Sequence, residues 1–421
     1  MTPNREKNEF QTRRLVVFDV EGVLIPKNRY ILFEISRKIG FLDLVQIIVL
    51  GLFYEIGLLP LEFSLRKIFA MLKGLEQEKV VELHKKIPFL PGTEEVFKKL
   101  NTKGYRTALI SSGLPMLAVK DIATRLKADY AYGLELEIDK KQLTGNIGGN
   151  VIKSGGKATV LREILEKENL TPKDCIVVAD DRNNLSMLSL CKLKIGYNPD
   201  FILAAKSDFV TRGSLTEILP PITGEKPSNP HHNLSNLGLR ETIHMGSFML
   251  TFISMYITGN ILLTSLILLI TILYSISEIA RAHGISIPII SAITWNAANK
   301  TELYEIATAP IYFALGITIS LVIFPEPIRY VAITILTLGD GGAHIFGMKF
   351  GRTPLPFNKG KNIEGTLFGF IFAFLGAMIF VNPIEALIAA MVGMTVEGLP
   401  SPINDNLTIP IVSGLILAII M

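Results

Sequence analysis

Cysteine is nearly absent, with only Cys175 and Cys191 in 421 residues. Both fall in stretches that read as core, which argues against a disulfide framework and suits a reducing compartment. The opening segment, MTPNREKNEFQTRR, lacks an apolar run. No cleavable leader is therefore expected, and the part that follows is expected in the cytoplasm. Charge is scarce in one half only. From Glu241 onward there are about 7 Lys and Arg and about 10 Asp and Glu, which leaves about 35 and 28 of the 42 and 38 to the first 240 residues. The long apolar runs of this second half have nowhere to be buried in a water-soluble domain, so a bilayer is expected around them. Length by itself argues against a single core and for two or three domains.

What is present in the first part, residues 1–222, is a set of strands that end in polar loops. The apolar run Leu15 to Phe18 ends in Asp19-Val20-Glu21-Gly22-Val23, Arg106 to Ile110 ends in Ser111-Ser112-Gly113, and Cys175 to Ala179 ends in Asp180-Asp181-Arg182-Asn183-Asn184. Helical patterns lie between them at Thr93 to Leu100, Leu117 to Leu126 and Ala158 to Glu168. Strands alternating with helices predict an α/β fold, a doubly wound parallel sheet covered on both faces, with ligands at the C-terminal edge of the strands. A carboxylate nucleophile, a hydroxyl, a lysine and a second acidic loop meeting at that edge are the parts phosphoryl transfer needs.

The local text PFLPGTEEVFKKLNTKGY, ALISSG, LELEIDKKQLTGNI and VVADDRNNLSML, taken in order, resembles the phosphoserine phosphatase branch of the haloacid dehalogenase superfamily over nearly all of residues 14–215. The resemblance implies that Asp19 attacks phosphorus and becomes an aspartyl phosphate, with Glu21 as the acid/base. It assigns Ser111 and Lys157 to the phosphoryl oxygens, with Lys153 less well placed, and Mg²⁺ to Asp19 and Asp180, with Glu21 as a further metal candidate. The implied substrate is a small or lipid phosphomonoester. Two positions depart from the usual pattern: Glu21 replaces a second aspartate, and Asn184 replaces the last aspartate of the acidic loop. A domain that has lost its catalysis is the alternative reading. Residues 27–90 correspond to a helical cap, in which FLDLVQIIVLGLFYEIGLLPLE reads as a buried cap helix or as a surface that touches a membrane.

Residues 223–239 read as a flexible connector, rich in Pro, Asn, Ser and Gly from PPITGEKPSNPHHNLSN. Residues 240–421 then predict an all-α membrane domain, a polytopic bundle of about seven transmembrane helices, near 242–258, 261–280, 303–324, 327–346, 365–381, 384–400 and 406–421. With the first domain cytoplasmic, alternate crossings place Arg240, Arg281, Lys300, Lys349, Arg352, Lys359 and Lys361 inside and only Arg329 outside, as the positive-inside rule requires. The last residue then lies outside. The same topology gathers His244, Glu278, Asp340, Glu364, Glu397, Asp405 and Asn406 on the cytoplasmic side, where ionisable residues at membrane depth mark a site.

The densest run is Gly339 to Gly347 (GDGGAHIFG), which continues through Arg352 to Lys359, Lys361 and Glu364-Gly365. Glycines permit close approach to phosphates, lysines meet their charge and carboxylates carry a cation, although the run is no Walker loop. Each glycine taken singly is equally suited to helix contact. With GDGGAHIFGMKFG, NKGKNIEGTLFGF and VEGLP...INDNLTIPI, residues 240–421 resemble the dolichol kinase family, whose relatives include phytol kinases. The resemblance implies transfer of the CTP γ-phosphoryl group to an isoprenoid lipid alcohol, with Mg²⁺ as the cofactor. It assigns Asp340 (also to the metal) and Glu364 to catalysis, and Gly341, Gly342, Gly347, Lys359, Lys361, Arg240 and Arg281 to the nucleotide. Glu241 departs from it, standing where relatives often carry a second basic residue. A cytidylyltransferase that forms a CDP-lipid, or a membrane scaffold or transporter with a degenerate first domain, are the alternatives. The expected partners are the bilayer, the lipid alcohol and CTP, with no nucleic acid, and the expected location is the cell membrane.

Overall fold

Leu15–Phe18 (β1) is four apolar residues, LVVF, with no exposed surface, and such a run is stable only as a strand flanked on both sides and covered on both faces. The protein, described by a computed structural model, provides that setting. Its described residues are 14–27, 59–79, 87–211, 213–225, 237–282, 307–401 and 403–421, with isolated positions within 46–54 and 287–294. Most of the expected cap segment and of the connector lies outside them. The chain divides into two compact units, Met1–Pro199 with Lys206–Glu225, and Lys226–Met421 with Asp200–Ala205.

In the first unit β1 pairs in parallel with Arg106–Pro115 (β2) on one side and with Cys175–Ala179 (β5) on the other, in register Phe18 to Leu109 and Phe18 to Val178. The seven-stranded sheet runs β4-β3-β2-β1-β5-β6-β7, with Tyr130–Asp139 (β3), Gln142–Gly148 (β4), Leu193–Tyr197 (β6) and Phe209–Thr211 (β7). Only the β3 to β4 pairing is antiparallel. The chain winds outward from β1 to one edge and then returns to the other side through β5, so the order reverses at β1, where doubly wound sheets open a crevice.

Helices cover the sheet because their apolar residues recur at helical spacing. Leu61–Ala70 (α1) belongs to the cap region and packs on the β3–β4 hairpin, where Arg66 donates to the Ile147 carbonyl at 2.9 Å. Thr93–Thr102 (α2) buries Val96, Phe97 and Leu100, and the Phe97 ring lies 4.8 Å from that of Phe18. Met116–Leu126 (α3) buries Ala118, Val119, Ile122, Ala123 and Leu126 and stops where Lys127 turns left-handed. Gly156–Glu168 (α4) carries Lys157 in its first turn and ends at a left-handed Asn169.

The described part of the second unit is mostly helical. It comprises Leu237–Gly246 (α5), Met249–Ile253 (α6), Gly259–Ala282 (α7), Ala309–Ile323 (α8), Ile328–Thr334 (α9), Gly341–Phe350 (α10), Ile363–Ala377 (α11), Pro383–Gly398 (α12) and Asp405–Ile420 (α13). A π turn, Ile335–Asp340, joins α9 to α10. The interior uses small residues: Ala373, Ala377, Ala386, Ala389 and Ala390 are fully buried, as where helices approach closely without a large side chain between them. Outward faces are apolar, with Ile257 76% and Ile261 83% exposed.

Two helical runs among the described residues, Arg240–Arg281 and Ile328–Phe350, are long and apolar enough to cross a membrane, against the expected seven. Length is the reason for the difference. The helices α8, α11 and α13 have 15, 15 and 16 residues, about 22–24 Å of rise against a hydrocarbon core of about 30 Å. The two spans expected first form one run of 42 residues. It is interrupted at Gly259, whose φ of 68° no helix continues through. Asn260 donates to the Leu321 carbonyl and Tyr274 to that of Ala307, so α7 and α8 run antiparallel.

Candidate functional site

The crevice at β1 is built from four chain segments. Asp19 leaves the C-terminal end of β1, Ser111 lies within the extended β2, Lys157 sits in the first turn of α4, and Asp180 and Asp181 follow β5. The Asp19 side chain is nearly enclosed. Its Oδ1 accepts from the Val20 N–H at 2.8 Å, and its Oδ2 accepts from Lys157 Nζ at 2.8 Å and from the Asn184 amide. Lys157 donates also to Asn184 Oδ1 at 2.8 Å. Of the two lysines weighed from sequence, Lys157 is buried and Lys153 is exposed.

Asn184 explains itself in this setting. Its amide donates to Asp19 and to Asp181 Oδ1, at 2.9 Å for the latter, while its carbonyl accepts from Lys157. A carboxylate here has no proton to donate to Asp19 and adds repulsion instead. The departure noted in the sequence is thus a bridge between nucleophile candidate and lysine, a role its residue type alone did not signal.

The acidic cluster differs from the expected set. Single carboxylate oxygens of Asp19, Asp180 and Asp181 lie within 4.8 Å of one another, the one such group among the described residues. Glu21, expected as a metal candidate, is outside it and faces Ser111, whose Oγ donates to Glu21 Oε2 at 3.4 Å and accepts from the Leu114 N–H at 2.9 Å. Asp181 takes that place, and its position beside Asp180 in the DDRNN loop was the available signal. Lys27, which sequence reading passed over, donates to Asp180 Oδ2 at 2.6 Å and lies 3.6 Å from Asp181 Oδ2. Nothing local in the sequence marks it.

Burial dominates the electrostatics. It lifts the Glu21 carboxyl to about 7, with help from the Asp19 charge and against the pull of Lys157 and Lys27. Burial also pushes Asp180 well above the usual carboxylate range; Lys27 draws it down, and Asp181 and Asp19 push it up again. Three closely spaced carboxylates, two of them buried, fit a hard divalent cation such as Mg²⁺. Two glycines make the crowding possible. A Cβ on Gly22, whose φ is +77°, falls 2.2 Å from Asp180 Oδ2, and one on Gly113 falls 2.1 Å from Glu21 Oε2.

A doubly wound sheet with an enclosed carboxylate, a buried lysine and an acidic cluster at its switch point defines a class, the doubly wound enzymes that act on phosphate esters. Residues 16–189 match the model of the haloacid dehalogenase-like hydrolases. The chain is 34% identical over 208 residues to a phosphoserine phosphatase of Methanocaldococcus jannaschii, covering 49% of this chain and 96% of that protein. It is 31% identical over 208 residues to one of Archaeoglobus fulgidus, covering 49% of this chain and 57% of that protein. A solved structure described as a phospho-aspartyl intermediate analogue of phosphoserine phosphatase aligns at 30% identity and a TM-score of 0.46, over 50% of this chain and 98% of that one. The chain belongs, through its first half, to the haloacid dehalogenase-like hydrolase family, and that half is a phosphatase domain of the phosphoserine phosphatase type.

The second unit has its own polar cluster. Lys361 Nζ donates to Glu397 Oε1 and, at 3.1 Å, to Asp405 Oδ2, while Thr366 donates to Glu397 Oε2 at 3.3 Å. Burial lowers the Lys361 pKa, but the charges of Glu397, Asp405 and Asp340 more than reverse this and hold it above the ordinary lysine range. Asp340 lies in the π turn, 3.4 Å from His244 Nε2, and Glu241 on α5 meets His344 on α10 at 3.1 Å. Several expected site residues are placed otherwise. Glu364 is bound to the N–H groups of Arg352 and Thr353 and to the Thr353 hydroxyl, so it holds the 351–353 loop. Gly341, Gly342 and Gly347 sit buried within α10 against Met245, Phe372 and Asn362, which is helix packing. Arg281 forms a buried pair with Glu278 at 2.7 Å, Arg240 is half-buried on α5, and Lys359 is an exposed loop residue.

Proposed function

We propose that the first half is a Mg²⁺-dependent phosphomonoesterase that works through an aspartyl phosphate on Asp19. The observation that carries this is the enclosed Asp19 carboxylate, held by Lys157 and Asn184 beside Asp180 and Asp181, with Glu21 at hand and still protonated near neutrality. An Asp19 oxygen bonds to phosphorus as the ester P–O bond breaks, and Glu21 gives its proton to the departing alkoxide. Water then loses a proton to Glu21 as its oxygen bonds to phosphorus, which releases phosphate and restores Asp19. Lys157 offsets charge on the phosphoryl oxygens, and Ser111 offers a hydroxyl beside Glu21. Mg²⁺, when held by Asp19, Asp180 and Asp181, supplies Lewis-acid stabilisation of phosphoryl charge. Relatives are named for phosphoserine, which makes it the first substrate to try beside lipid phosphates. Purified protein is expected to hydrolyse a generic aryl phosphate with Mg²⁺, and Asp19→Asn is expected to lose this by at least about a thousandfold while keeping its melting temperature. Full activity in Asp19→Asn, or none in the parent on any phosphomonoester, leaves the domain without catalysis.

For the second half we propose a multi-pass membrane domain that acts as a CTP-dependent polyprenol kinase. Its support is the sequence run from Gly339 to Gly365 together with the charged cluster of Lys361, Glu397 and Asp405, where α12 ends and α13 begins, and the His244–Asp340 pair whose carboxylate charge also acts on Lys361. Protein incubated with γ-labelled CTP and a panel of isoprenoid alcohols is expected to label the lipid. Asp340→Ala is expected to abolish labelling and Lys361→Ala to raise KM for CTP. Labelling from α-labelled CTP instead favours a cytidylyltransferase.

A further inference from the structure

Among the described residues, Lys27 reaches the acidic cluster at the β1 crevice yet has no part in the phosphatase chemistry above. It lies just beyond the turn that follows Asp19, in which Gly22 donates to the Ile25 carbonyl at 2.8 Å and Ile25 to the Val20 carbonyl at 3.1 Å. Its side chain is 37% exposed, so the ammonium reaches inward from the mouth of the site while its stem stays near solvent. It ends 2.6 Å from Asp180 and 3.6 Å from Asp181, the two carboxylates on the far side of the cluster from Lys157. An ion pair so close to a cation site has a calculable consequence. Counted as carboxylates, the form in which a cation would be held, the three aspartates of the cluster face two ammonium groups, Lys157 and Lys27, and leave one net negative charge. A divalent cation turns this to one net positive, and a phosphate dianion returns it to one negative. Without Lys27 the same series is two negative, neutral and two negative.

We propose that Lys27 is a charge-balancing residue of the phosphatase site, which weakens the hold of Asp180 and Asp181 on the divalent cation and strengthens the hold of the loaded site on the phosphate dianion. The inference rests on the phosphatase reading. Its mark is a pair of opposite effects. A lysine that merely braces the loop loosens both ligands when it is removed, whereas a charge within a few ångströms of both changes their affinities in opposite directions.

The test measures binding and not turnover, on the full chain in detergent at pH 8, where inorganic phosphate is chiefly the dianion. Calorimetry gives the dissociation constant for Mg²⁺ alone and then for inorganic phosphate on the Mg²⁺-saturated protein. Lys27→Met is expected to bind Mg²⁺ about tenfold more tightly and phosphate about tenfold more weakly than the parent, and Lys27→Arg to restore both. Lys27→Gln repeats the measurement with a side chain that still donates to Asp180, in case the methionine variant melts early. Constants that move together, or only one that moves, or neither, overturn the charge-balancing role. A parent protein that takes up no Mg²⁺ overturns the phosphatase reading itself, and this proposal with it.

Discussion

At the scale of single residues the site is a matter of which carboxyl keeps its proton. Glu21 holds one to about pH 7 in the folded chain against 4.5 as a free side chain, chiefly because it is buried and next because Asp19 is close. The folded state therefore binds this proton more tightly than the unfolded state. The stability it contributes is complete below 4.5 and is lost as the pH rises through 7. In metal-free protein that loss is on the order of 3 kcal/mol. Glu21→Gln, which cannot ionise, is expected to melt at a temperature that changes less between pH 5 and 8, and at pH 8 to outlast the parent in the presence of a chelator. Melting curves that fall in parallel contradict the assignment. That Asp19, Ser111, Lys157 and Asp180 meet at one crevice was legible, because two strand-end aspartates, a serine after an apolar run and a lysine opening a helix are the residue types one such site would use. Asp181, Asn184 and Lys27 were not, since their roles arise from what lies across the crevice from them.

At the scale of elements, β1 and β5 could be read directly, for a strand buried on both faces is a plain apolar run, whereas β2 was read only to Ile110 and in fact continues through Ser111 and Ser112 to Pro115. Their covering helices matched expectation within two residues at either end. The β3–β4 hairpin could not be read so. Glu135, Glu137 and Asp139 are exposed along β3, and the short apolar alternation among them carries no more signal than a loop. The turn of that hairpin is Lys140-Lys141, with φ of 46° and 65°. Both residues are exposed and left-handed, a conformation that asparagine and glycine adopt with less strain. Replacing them by Lys140→Asn with Lys141→Gly is expected to stabilise the first unit by about 1 kcal/mol, read as a rise of a few degrees in melting temperature with hydrolysis unchanged. No rise, or a fall, shows that the lysine stems make compensating contacts.

At the scale of the whole molecule, the scarcity of charge after Glu241 announced an apolar half, but not how many of its helices are long enough to span a bilayer. Helices packed through alanine and glycine are shorter than a hydropathy window expects, and a run of 42 residues broken at Gly259 reads from sequence as two spans. A reporter fused after Met421 is expected outside the cytoplasm and one within the Lys349 to Lys361 loop inside; both on one side refutes the odd number of crossings. The sheet and its crevice are complete by Glu225. A chain cut near Ser228 is therefore expected to keep Mg²⁺-dependent hydrolysis and to lose any lipid labelling, and a cut protein without hydrolysis shows that the halves depend on each other. The tight seating of Gly22 and Gly113 against Asp180 and Glu21 has a bearing on how this chain tolerates change. In a library holding every substitution, scored by phosphate release, both positions should stand as empty as the aspartates themselves, although neither residue has a side chain with which to act. Intolerance there records occupied volume, and a search for function by mutational sensitivity would count two active-site residues that do no chemistry.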